Sequence, residues 1–156
     1  MYKRQVIKYQ YFVADPGFTE DKFVSACEVL PGNRKVVHHV LIFALPPGKK
    51  ILGVDDDGFL FAYVPGLGAQ QLPPGMAKRI PAGSKLLFQV HYTPIGTPQQ
   101  DLSSVGLLFT DPATITHEVY TASATNKRFV IPPREANYPV ESTSPPMPAD
   151  CHLMYL

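Results

Sequence analysis

Short runs of β-branched, aromatic and aliphatic residues recur along the chain, some alternating with polar residues and some continuous, with turn-forming residues between them. This pattern predicts strands over 6–13 (VIKYQYFV), 22–30 (KFVSACEVL), 35–45 (KVVHHVLIFAL), 58–64 (GFLFAYV), 84–93 (SKLLFQVHYT) and 103–109 (SSVGLLF). Weaker strands are expected at 115–122, 127–131 and 138–143. The connections carry residues that set or permit turn dihedrals: Asp15-Pro16-Gly17, Pro31-Gly32-Asn33, Pro46-Pro47-Gly48, Asp55-Asp56-Asp57-Gly58 and Pro81-Ala82-Gly83. Residues 18–26 could instead form a helix, with Thr19 as cap and Glu20 and Asp21 in its first turn. The segment runs without a break into Val29-Leu30-Pro31-Gly32, which favours strand. Many short strands separated by turns predict an all-β antiparallel sandwich or barrel.

Composition sharpens this picture. Proline occurs 17 times in 156 residues, about twice the usual ~5%, and the doublets Pro46-Pro47, Pro73-Pro74, Pro132-Pro133 and Pro145-Pro146 leave little room for helices. Charged residues make up 17% of the chain and the net charge is +1, which argues against both disorder and a nucleic-acid partner. No apolar run has the length of a membrane span. A domain boundary is expected near Asp111-Pro112, beyond which Ser, Thr and Pro become more frequent. One domain is therefore expected over 6–111, and 112–156 either completes it or opens a second. The first residues, MYKRQ, join a strand-like segment directly and the last, HLMYL, lie in an apolar run, so both ends read as cut from a longer polypeptide. The two cysteines, Cys27 and Cys151, match no zinc ribbon or redox motif and are expected as semi-buried free thiols.

The chemistry is concentrated in RKVVHHVLIFALPPG, Arg34 to Gly48, where adjacent histidines interrupt an apolar strand. In a regular strand His38 and His39 would point to opposite faces, so both can reach one ion only if the strand is bulged or lies at an edge. In SKLLFQVHYTP, Ser84 to Pro94, His91 shares a face with Leu87 and Gln89, and this strand could lie beside the first. A lone strand histidine is ordinarily a core residue hydrogen-bonded to backbone. Burying two neighbouring imidazoles costs free energy unless both are satisfied, and one metal ion satisfies both. Three neutral imidazoles suit copper, zinc, iron or nickel.

The order HHVLIF, a Gly-Pro-rich loop and then FQVHY resembles the amino-terminal domain of the copper type II ascorbate-dependent monooxygenases, the family of peptidylglycine α-hydroxylating monooxygenase and dopamine β-monooxygenase. TEDKFVSACEVLPGNRKVV resembles that family's approach to the histidine pair, and FVIPPREANYPVE the opening of its second domain, so the likeness runs from about Tyr9 to the end. It implies a jelly-roll sandwich, copper held by His38, His39 and His91, and Gln89 in a supporting position behind the ligands. It implies that 112–156 carries the opening strands of a second sandwich domain. The partners it implies are a reductant such as ascorbate, a second copper domain of the same polypeptide, and a small substrate hydroxylated at a C–H bond by dioxygen. It also implies an extracytoplasmic location. The sequence departs from the family in lacking the disulfides of the animal enzymes and the His-x-His pair that holds the oxygen-activating copper. By the resemblance this chain therefore holds one copper of two. Met147 and Met154 precede the place of that pair and read as packing or loop residues.

Two other classes fit the histidines: a His₃ zinc hydrolase or hydratase, against which no general base stands near either stretch, and a non-catalytic β-sandwich binding module attached to a redox protein. Weaker signals read as ordinary structure. Asp55-Asp56-Asp57-Gly58 lacks the distal glutamate of a calcium loop, GLGAQQ at 66–71 lacks the third glycine of a dinucleotide site, and His117 and His152 sit outside any ligand pattern.

Overall fold

The computed structural model describes residues 7–50, 58–144, 146–147 and 149–154; most of the acidic turn (Asp55 to Asp57), the opening MYKRQ, Pro145 and the final two residues lie outside them. Among the described residues the strands are β1 (Gln10–Ala14), β2 (Lys22–Leu30), β3 (Val37–Leu45), β4 (Phe59–Tyr63), β5 (Gln70–Gln71), β6 (Met76–Ile80), β7 (Lys85–Tyr92), β8 (Ser104–Phe109) and β9 (His117–Glu118). One sheet has the order β1-β7-β3-β4. The other is built around β2, which pairs with β8 along one edge and with β5 and β6 along the other. All ladders are antiparallel except the short β6–β9 pair, which is parallel. The sheets form a sandwich because one apolar cluster draws on both: Val24, Cys27, Val29 and Ile80 from the second, and Val37, Val40, Ile42, Leu86 and Val90 from the first.

Six of the expected strands coincide with β1, β2, β3, β4, β7 and β8 to within a few residues at their ends, and 18–26 enters β2 rather than a helix. Two members of the second sheet, β5 and β6, carry no alternation that announces them. GLGAQQ ends in β5.

Contacts divide the chain into two units, Met1–Thr121 and Ala122–Leu156. The first runs past Asp111-Pro112, because a short 3₁₀ turn (Pro112–Thr114) returns the chain to β6 through β9. Within the second unit the strands expected at 127–131 and 138–143 are absent among the described residues. A strand exists by pairing. Here Pro132, Pro133 and Pro139 remove donors, and Asn126 bonds the carbonyl of Glu141 through its side chain (2.9 Å) instead of through a ladder. Cys27 is buried, Cys151 is exposed, and both are free.

One loop fixes the histidine-bearing end of the β3–β7 pair. Asp101 accepts hydrogen bonds from the Asn33 backbone N–H (2.8 Å), Tyr92 Oη (2.8 Å) and Ser103 Oγ (2.9 Å). It thereby ties the turn before β3 to the residue after His91. Gly32 permits this approach, since a Cβ there would stand 2.5 Å from the Leu102 carbonyl oxygen. Charge-assisted bonds of this kind are each worth roughly 1.5–3 kcal/mol. Asp101→Ala should lower stability by about 2 kcal/mol in urea unfolding, with Asp101→Asn in between; an unchanged midpoint would show that the loop is not a tie.

Candidate metal centre

β3 and β7 run antiparallel with Val40 opposite Val90, Ile42 opposite Phe88 and Ala44 opposite Leu86 on the core side. The other side pairs His39 with His91, Leu41 with Gln89 and Phe43 with Leu87. The register then shifts: Val37 pairs with Tyr92 and His39 with His91, leaving His38 as an extra residue on β3. The cause lies in the local sequence. Val37 (3% exposed) and Val40 (0%) both enter the core, yet stand three apart, out of phase with a strand's period of two. A bulge between them resolves the conflict and delivers His38 and His39 to the same outer side.

The three rings form a nearly equilateral triangle, with centroids 5.3 Å apart for His38–His39, 5.1 Å for His38–His91 and 5.0 Å for His39–His91. Each offers a ring nitrogen, and these atoms lie within 4.8 Å of one another. The Nδ1 atoms of His38 and His39 are 3.1 Å apart. Two nitrogens each ~2.0 Å from one ion at a tetrahedral angle would be about 3.3 Å apart, so this pair already has the spacing of shared ligands. The His91 Nδ1 is buried and has no hydrogen-bond partner. Such an orphan is costly unless something else satisfies it. Burial holds the His39 imidazole below its ordinary value, reinforced by the neighbouring charges His91 and His38 would carry, so it is kept in the neutral, ligating form.

Among the described residues no carboxylate or thiolate joins this cluster, and none of the three rings is hydrogen-bonded to a carboxylate. His38 is exposed and the other two are half-buried, which leaves one side open to solvent. Gln89 (8% exposed) lies two residues before His91 on the same face and donates to Tyr11 Oη at 3.1 Å, without a hydrogen bond to a triad ring. Sequence reasoning did not single out Tyr9. Its ring centroid is 5.0 Å from that of His91 and 5.6 Å from that of His39, which makes it an aromatic wall of the site. An aromatic residue just before an edge strand is a weak signal, and only the pairing of β1 with β7 reveals its place. His117 lies on β9, beside Thr116 Oγ1 at 3.0 Å, and stands outside the cluster. Met147 is exposed in the second unit.

The donor set fits a borderline ion that accepts three imidazoles and leaves a coordination position free. The orphaned His91 nitrogen supports that fit independently of the ring spacing. No family model matches the sequence, and no curated protein matches it.

Proposed function

We propose that His38, His39 and His91 hold one copper ion, and that this unit is the electron-transfer half of an ascorbate-dependent copper monooxygenase. The observation that carries the proposal is the convergence of three imidazoles around a bulge, with one buried ring nitrogen otherwise unpartnered. Copper bound there would supply one-electron redox chemistry between a reductant and a second copper domain of the same polypeptide, where a C–H bond of a small substrate is hydroxylated with dioxygen. The chain's own contribution is geometric. The bulge presents two adjacent rings, β7 brings the third, and Tyr9 packs against the rings of His39 and His91 and limits how far they can turn. The exposed ring of His38 leaves the approach that a soluble reductant such as ascorbate needs. The all-imidazole set, without thiolate, does not suit a blue-copper centre. Among the described residues no carboxylate joins the three rings, which disfavours the general base that a zinc hydrolase would need. The jelly-roll topology and an extracytoplasmic location belong to the same reading, which rests on the resemblance of HHVLIF and FQVHY as well as on the site.

The chain purified without added metal should take up one equivalent of Cu(II), show nitrogen hyperfine structure by electron paramagnetic resonance, and lose that signal on anaerobic addition of ascorbate. Stoichiometric zinc with no uptake of copper would replace this reading with the hydrolytic one. Bound copper that ascorbate leaves oxidised would reduce the unit to a binding module.

A further inference from the structure

Lys78 lies at the centre of β6, in the sheet that does not carry the histidines, and is only 7% exposed. Its Nζ donates to the Phe59 carbonyl oxygen (3.2 Å) and to Thr121 Oγ1 (2.8 Å). It also stands 4.9 Å from the centroid of the Phe59 ring and 5.4 Å from that of Phe61. Among the described residues no carboxylate pairs with it. The neighbouring Arg79 turns to the opposite side of the strand and pairs with Asp21 (2.7 Å). The Cys27 thiol, which influences Lys78 from β2, is itself pushed up to about 12 by burial and brings no negative charge at neutral pH.

Burial of an ammonium without a counter-charge shifts it toward the neutral amine, and the Phe59 and Phe61 rings offset only part of that cost. A neutral amine has two N–H donors and one lone pair. The Phe59 carbonyl and the Thr121 hydroxyl can accept from its two donors. Lys78 also lines a cavity of about 170 Å3 whose walls include Pro46, Leu60, Pro81 and Val119. Among the described residues, the other ionisable residues that line it are Lys49, Arg79, Glu118 and Tyr120.

We infer that Lys78 is a nucleophilic amine whose cavity captures small aldehydes as an imine. The Nζ lone pair forms a bond to the carbonyl carbon while the C=O π pair moves to oxygen. The carbinolamine so formed loses its oxygen as water together with the two amine protons, leaving a C=N bond, and no oxidant or reductant is consumed. The lining mixes apolar residues (Pro46, Leu60, Pro81, Val119) with polar ones, and its volume suits a short aldehyde. Burial pushes the Lys78 amine down to about 8, which raises its neutral fraction at neutral pH far above that of a surface lysine, by roughly tenfold for each pH unit of difference.

The test uses the full chain at pH 7, treated with a limiting amount of butanal and cyanoborohydride, which traps imines by reduction, followed by peptide mass mapping. Lys78 should be butylated at least about tenfold faster than Lys85, an exposed lysine on β7, and the preference should vanish when the chain is unfolded in urea first. A lysine that merely pins β4 to Thr121 would react more slowly than Lys85, because it is buried. That result, equal rates, or a preference that survives unfolding would each overturn the inference.

Discussion

Replacing His91 by alanine should abolish tight copper binding while leaving the metal-free protein as stable as the wild type, or slightly more so. The two halves of this expectation have different physical origins. Losing one of three ligands leaves a two-coordinate pair whose members, His38 and His39, are adjacent on one strand. Disturbing only the groups behind a metal ligand typically costs 10–100-fold in affinity, so losing a ligand outright should cost about 100-fold or more, roughly 3 kcal/mol. In the metal-free protein, however, the His91 Nδ1 is a buried atom with no partner. Its removal relieves a desolvation penalty that offsets the packing lost against Tyr9. Copper at 100 times its dissociation constant should stabilise the wild type by about 2.7 kcal/mol, and the variant by much less. Competition against a chromophoric chelator measures the affinity, and thermal melts with and without copper measure the linkage. A variant that binds copper as the wild type does would remove His91 from the ligand set. One that unfolds without metal would mean that the ring is a core residue instead.

Much of this geometry could be read from the residues, and what could not has identifiable causes. The strands that face the core on one side carry their period in plain form. The Val-His-His-Val segment also contains its own irregularity: core valines three apart cannot both face inward on an unbroken strand, so a bulge was one of the two arrangements that would let both histidines reach one ion. β6 was illegible for the opposite reason. Its sequence MAKRI places a cation where a core residue belongs, and Lys78 is buried among aromatic rings and a carbonyl supplied from elsewhere in the chain. Local patterning holds no record of such partners. Asp101 is similar: an acidic residue in a Gln- and Pro-rich loop reads as solvated, whereas its three bonds reach Asn33, Tyr92 and Ser103. The segments at 127–131 and 138–143 err in the other direction, since β-rich composition predicts a willingness to pair and not a partner.

The buried pair Lys78 and Cys27 should give stability a distinctive dependence on alkaline pH. The Lys78 amine falls from its ordinary 10.5 to about 8 in the folded chain. Between those values the unfolded state holds a proton that the folded state has released, so stability rises with pH at about 1.4 kcal/mol per unit. The Cys27 thiol moves the other way, from 9.0 to about 12. Between those values the folded state keeps a proton that the unfolded state loses, and stability falls at the same slope. Wild-type stability should therefore climb by about 1 kcal/mol between pH 8 and 9 and then level off, as the two slopes cancel. It should decline above pH 10, where Tyr92, raised to about 12 by burial and by its bond to Asp101, adds to the fall. Lys78→Met keeps the aliphatic bulk and should lose the climb, giving a decline from pH 9 onward and a gap to the wild type that widens by about 3 kcal/mol across the window. Cys27→Ala should instead keep climbing to about pH 10, whatever its packing loss does to the absolute value. Urea midpoints from pH 7 to 11 for the three proteins decide the matter. A wild-type curve that falls throughout, or one that Lys78→Met leaves unchanged in shape, would mean that the surroundings do not lower the proton affinity of the amine.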